Sequence, residues 1–135
     1  MGKKILTYIL DLVDKLIDKI TDDSKFLHTV VVTTHRICEI ATQDKNNALY
    51  GCIARVKLYN KETCFANGYR EPTVEITMAK LNSQTNWSVG VESKTSFPLE
   101  QVYKNIEIEK YYNNVMKPTL KALENDMKEK IGDNK

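Results

Sequence analysis

The sequence predicts an α+β protein: an N-terminal amphipathic helix packed on a four-stranded antiparallel sheet of two hairpins, followed by a long kinked C-terminal helix. Three observations predict it. Apolar residues recur at helical spacing over residues 3–22, β-branched residues and alternation dominate 26–95, and helical stripes return over 97–131. At 135 residues, with 41% hydrophobic and 28% charged side chains, the chain is expected to be a single domain, 1–135, with a frayed tail at 132–135.

On a wheel of about 100° per residue, Ile5, Leu6, Ile9, Leu10, Leu12, Val13, Leu16, Ile17 and Ile20 fall within one arc of roughly 160°. Asp11, Asp14 and Asp18 lie opposite, with Lys15 and Lys19 at one border. Residues 26–42 are rich in β-branched types and read as a strand, and 48–59 alternate as a second. A hairpin turn at 43–47 would set Cys38 opposite Cys52 and Thr34 opposite Val56, leaving Arg36 the one charge on the buried face. A second hairpin joins 73–81 to 86–95 through 82–85, with Met78 facing Val89, Ile76 facing Val91, and Trp87 on the same face. Ser96 reads as an N-cap, with Pro98 in the first turn of the last helix. Pro118 is expected to kink that helix.

Helix followed by four strands resembles the cystatin-like topology in its order of elements. That resemblance implies a helix laid across a curved sheet.

Charge is balanced along the chain: five basic and five acidic residues in 1–25, eight and six in 26–97, seven and seven in 98–135. No basic arm points to a polyanion. Seventeen of the twenty basic residues are Lys, which together with many Asn, Ile and Tyr suggests an AT-rich genome, of the kind carried by phages and mobile elements. Three cysteines, Cys38, Cys52 and Cys64, do not make a disulfide framework and fit reduced thiols in a cytoplasmic setting. The start MGKKILTYIL is too short in its apolar run for a secretory signal, and no stretch is long enough for a membrane span.

Catalytic signatures are missing. His28 and His35 would point to opposite sides of a sheet, and no zinc-type spacing occurs, so no metal or other cofactor is expected. The expected function is therefore non-catalytic: a binding protein acting as inhibitor, adaptor or regulator of a macromolecular partner, with a protein partner and a homodimer expected. The contact site falls in the long 60–72 connection, on Cys64, Phe65, Asn67, Tyr69 and Arg70, because aromatic and Arg side chains anchor interfaces. A dimer or partner seam is expected from Val31, Ile37, Leu49 and Ile53 on the sheet and from Leu120, Leu123, Met127 and Ile131 on the last helix. One alternative is a single-stranded nucleic-acid binder using Arg36, Arg55, Lys57 and Arg70 on phosphates and Tyr59, Phe65 and Tyr69 for stacking. Another is a small enzyme using Cys64, with His35 as base, or a carboxylate.

Overall fold

The computed structural model describes residues 24–82 and 89–133. The helix expected at 3–22 and the hairpin residues Asn86 and Trp87 lie outside the described residues. The elements run α1 (Ser24–Thr42), β1 (Ile53–Tyr59), β2 (Thr73–Leu81), β3 (Val89–Pro98), α2 (Leu99–Lys104), α3 (Ile108–Tyr111) and α4 (Lys117–Asp133).

The largest correction is at 26–42, which is helix and not strand. Val30, Thr34 and Cys38, four residues apart, form its buried face, flanked by Leu27, Ile37 and Ala41. That stripe is helical, and burying it outweighs the weak strand preference of Val and Thr, which differ from good helix formers by only about 0.7 kcal/mol or less per residue. Val32 and Ile40, which a strand would place on the same buried face as Thr34 and Cys38, are exposed, and so is Arg36. The described sheet accordingly has three strands in the order β1-β2-β3, all antiparallel, and the expected fourth strand is absent from it. The helix-plus-four-strands order that resembled the cystatin-like topology is not what the described residues form.

Residues 43–52 are a capped turn between helix and strand instead of a hairpin. Asp44 accepts from the Asn46 N–H at 3.0 Å, Asn47 from the Leu49 N–H at 2.9 Å, and Gly51 donates back to the Thr42 carbonyl at 2.9 Å. Leu49 is fully buried there as a plug.

In β2, Val74, Ile76 and Met78 share the buried core face, as alternation predicts. Their partners in β3 are Phe97, Thr95 and Ser93. The expected pairing of Met78 with Val89 and Ile76 with Val91 is thus displaced by four residues, and a bulge at Lys80/Leu81 takes up the end of the ladder. Ser96 and Pro98 belong to β3, and Pro98 is the extended residue from which α2 starts.

The expected kinked helix is two pieces. α2 stops at Asn105, and a second helical run covers 108–133. Inside this run, residues 112–116 form a π turn in which the Lys117 N–H reaches the Tyr112 carbonyl, five residues back. Pro118 explains it: its ring crowds the carbonyl four residues earlier and it offers no N–H, so the helix widens by one residue instead of breaking. Thr119 then donates its hydroxyl to the Val115 carbonyl at 2.6 Å.

The core lies between one face of the sheet and the helices. α1 packs on β1 and α4 on β3. Thr34 and Tyr111 share a buried hydroxyl hydrogen bond of 2.6 Å that ties α1 to α3, and Ser93 donates to Asp126 at 2.6 Å, tying β3 to α4. No helix among the described residues is long and apolar enough to cross a membrane.

Candidate functional site: the β1–β2 loop and the outer sheet face

The connection 60–72 is a small self-capped helical turn. Asn60 follows β1, and its side-chain oxygen accepts from the backbone N–H groups of Glu62 (2.9 Å) and Thr63 (3.0 Å). The Thr63 hydroxyl accepts in return from the Asn60 N–H at 2.9 Å, a reciprocal capping arrangement. At the other end Gly68 takes φ +85°, its N–H bonds to the Phe65 carbonyl, and the Tyr69 N–H bonds to the Cys64 carbonyl at 2.9 Å. This pair of bonds is the Schellman closure, which needs a left-handed residue. Gly68→Ala meets no steric obstacle but must hold that φ, so it should lower stability by about 1 kcal/mol, readable as a shift in urea midpoint.

The turn sorts the expected contact residues. Cys64 is buried beneath it, with its thiol donating to the Lys61 carbonyl at 3.6 Å, so it is a plug and not a contact. Asn67 is exposed but spends its side-chain amide on the Thr63 carbonyl at 2.8 Å. Phe65 stands out at 71% exposure. Tyr69 is half-buried: its ring lies 5.6 Å from that of Tyr59 and its hydroxyl donates to Glu75 at 2.6 Å. Burial first, and then this bond to a carboxylate, hold its phenol proton on above the ordinary tyrosine range. Arg70 is exposed, beside a shallow cleft of about 200 Å³ that Tyr69, Ser96 and Pro98 also line. The Leu99 N–H bonds to the Pro72 carbonyl at 2.9 Å and anchors the end of the loop to the start of α2.

The loop adjoins the sheet face that no described helix covers. That face carries Ile53, Arg55, Lys57 and Tyr59 from β1, Glu75 and Thr77 from β2, and Glu92, Lys94 and Ser96 from β3. Glu75 sits at its centre, almost buried, with Lys94 4.0 Å away.

The other expected residues are not brought together. Of the seam, Leu49, Leu123 and Met127 are fully buried in the core, and Ile37, Leu120 and Ile131 pack against it. Val31 is half-buried on α1, and only Ile53 is largely exposed. His28 and His35 lie seven residues apart on α1, so they share a helix side, where a strand would have put them on opposite faces. His35 is engaged by Glu39 at 2.8 Å and the Ala54 carbonyl at 3.1 Å. Cys38 lies on α1 and Cys52 just before β1, not across a ladder from each other, and burial pushes both thiols up, Cys38 to about 12. Among the described residues no cluster of His, Cys, Asp or Glu could hold a metal ion.

No protein-family model matches the chain, and neither a curated protein nor a solved structure matches it at a significant level.

Proposed function

We propose that the chain is a non-catalytic binding protein that inhibits, adapts or regulates a protein partner, and that it makes contact through the β1–β2 loop. The observation that carries this is Phe65: a large aromatic, 71% exposed, on a loop closed at both ends by its own capping bonds. Exposing such a ring on a preformed turn gives a partner an anchor whose ordering cost is already met by the fold. Exposed Arg70 and half-buried Tyr69 follow it in the same loop.

Phe65→Ala tests this. The full chain, tethered as bait, is exposed to extract of the producing cells beside the variant. Because the ring touches little of its own protein, thermal stability should stay within about 0.5 kcal/mol of the parent. Capture of the partner should fall about 30-fold or more, as for a central anchor. Equal capture by parent and variant would remove the loop from the function.

A single-stranded nucleic acid is the second reading, favoured by Arg55, Lys57 and Lys94, exposed on the sheet face that no described helix covers. Glu75 and Glu92 stand among those cations, and Tyr59 and Tyr69 are packed on each other, so phosphates and bases meet poor partners there. Affinity for an oligonucleotide that falls steeply between low and moderate salt would favour this reading over the first.

A further inference from the structure

The outer edge of β1 is an unfinished ladder. In antiparallel strands the N–H and C=O of one residue point to the same side, and that side alternates along the chain. At Ala54 it faces away from β2, because the Ala54 carbonyl lies 3.1 Å from Nε2 of His35 on α1. Asn60, of the same parity just past the strand, gives its N–H to the Thr63 hydroxyl and accepts the Thr63 and Cys64 N–H groups on its carbonyl. The far edge agrees. Ala79 stands between Ile53 and Glu92 and turns its backbone groups toward Ile53, while the Glu92 carbonyl, turned outward, accepts from Lys130 at 2.6 Å. Val56 and Leu58 therefore face outward as well, and among the described residues nothing bonds to their outer N–H and C=O groups. Such a stretch, between ends closed by His35 and by the loop, is a template for one more short strand.

We infer that this edge takes an extended segment of a protein partner, added as a further strand and carrying acidic residues at alternate positions. The inference rests on the reading that the chain binds a protein, and it names what that partner presents. Charge selects the occupant. Arg55 and Lys57 are exposed on the same side of β1, two residues apart, and neither has an ion pair among the described residues. Glu75, opposite Lys57 in the ladder, is already taken by the Tyr69 hydroxyl at 2.6 Å and by Lys94 at 4.0 Å. A carboxylate directly across from each cation answers both. Main-chain bonds to Val56 and Leu58 set the register of the added strand, and its acidic side chains set the choice of sequence.

Other pairings are served less well. An antiparallel second copy centred on Val56 sets Arg55 opposite Lys57 twice, cation against cation. On the edge of β3, Lys130 closes the Glu92 carbonyl, and the exposed side chains Glu92 and Lys94 are opposite in sign, so that edge selects no single charge. β1 also leads directly into the 60–72 turn, which puts its edge and Phe65 on consecutive stretches of chain.

The probe is a labelled synthetic peptide that alternates Glu with Val, titrated onto the full chain. Saturable binding is expected, and in the complex the Val56 and Leu58 amides should exchange at least about 10-fold more slowly than in the chain alone. Val56→Pro removes an N–H that no ladder bond uses, so it should weaken peptide binding at least about 10-fold while the Val74–Met78 amides keep their protection. The double variant Arg55→Glu with Lys57→Glu, on exposed side chains, should prefer a Lys–Val peptide to the Glu–Val one. No slowing at Val56 and Leu58 at any peptide concentration, equal binding by the parent and Val56→Pro, or a double variant that keeps the parent's preference would overturn the inference. So would protection of these two amides in the free chain that rises with protein concentration, which would make the occupant a second copy. Capture from extract separates this inference from the loop reading. If Val56→Pro captures the partner as the parent does while Phe65→Ala captures less, the edge is overturned and the loop stands. The reverse result overturns the loop and leaves the edge standing.

Discussion

Between pH 9 and pH 12 the protein is expected to lose several kcal/mol of stability, and most of that loss should trace to Cys38 and Tyr111. Cys38 has no exposed surface, and burial lifts its thiol from an ordinary 9.0 to about 12. Tyr111 is lifted from 10.0 to about 12, chiefly by burial, against the opposing effect of its hydrogen bond with Thr34. Both groups hold their protons more tightly folded than unfolded. Their contribution is therefore complete below pH 9 and is lost as pH rises through 12, because only the unfolded chain ionises freely. At about 1.4 kcal/mol per unit, the thiol accounts for about 4 kcal/mol and the phenol for about 3. The two shares are not independent, since a thiolate at Cys38 disfavours a phenolate at Tyr111. The measurement is the free energy of urea unfolding against pH for the parent and for Cys38→Ala. The variant starts lower because a side chain has left the core. Its curve should then fall less steeply, and the gap to the parent should close by about 4 kcal/mol by pH 12. Parallel curves would mean that the thiol ionises in place at no cost. The same burial that makes this slope makes Cys38 a poor nucleophile, which fits a chain read as a binder.

Alternation made the core face of β2 legible, because Val74, Ile76 and Met78 leave no choice of parity. Parity is all that alternation specifies, however. Shifting β3 by four residues keeps every side chain on its own face, so the pairing of Ile76 with Val91 and the true pairing with Thr95 satisfy the same pattern. What separates them is Phe97, which fills the core opposite Val74 although Ser96 and Pro98 beside it resemble the start of a helix. Residues 26–42 mislead for a different reason. Their residue types favour strands, while their spacing, Val30-Thr34-Cys38, is helical. The local sign was Arg36, a charge that the strand reading forced inside and that the helix places in solvent. Leu123 and Met127 share one buried helical stripe, as their spacing predicts. Their use was not legible, since a stripe does not say whether it faces a sheet or another chain. In the loop, the residue types pointed to 64–70, but only the capped turn separates the buried Cys64 from the exposed Phe65 beside it.

Ile76→Ala is the substitution expected to cost most. Ile76 lies mid-way along the central strand, between Val56 of β1 and Thr95 of β3, and is fully buried. The helices that cover the flanking strands, α1 and α4, are tied into the fold by the Thr34–Tyr111 and Ser93–Asp126 hydrogen bonds, so neither can move far to fill a void beneath it. Truncation should therefore leave a cavity and cost about 2–5 kcal/mol, whereas Ile76→Val should cost about 0.5–1.5 kcal/mol. Urea unfolding of the three proteins side by side measures both. A cost below about 1 kcal/mol for the alanine variant would mean that the helices relax onto the sheet, and the core would be softer than these contacts imply. The milder Ile76→Val should also leave partner capture unchanged, because its effect is confined to the core side of the sheet while Phe65 stands on the loop beyond it. A valine variant that folds fully yet captures less partner would show that the helical side of the sheet takes part in binding, and the contact surface would have to move there from the β1–β2 loop.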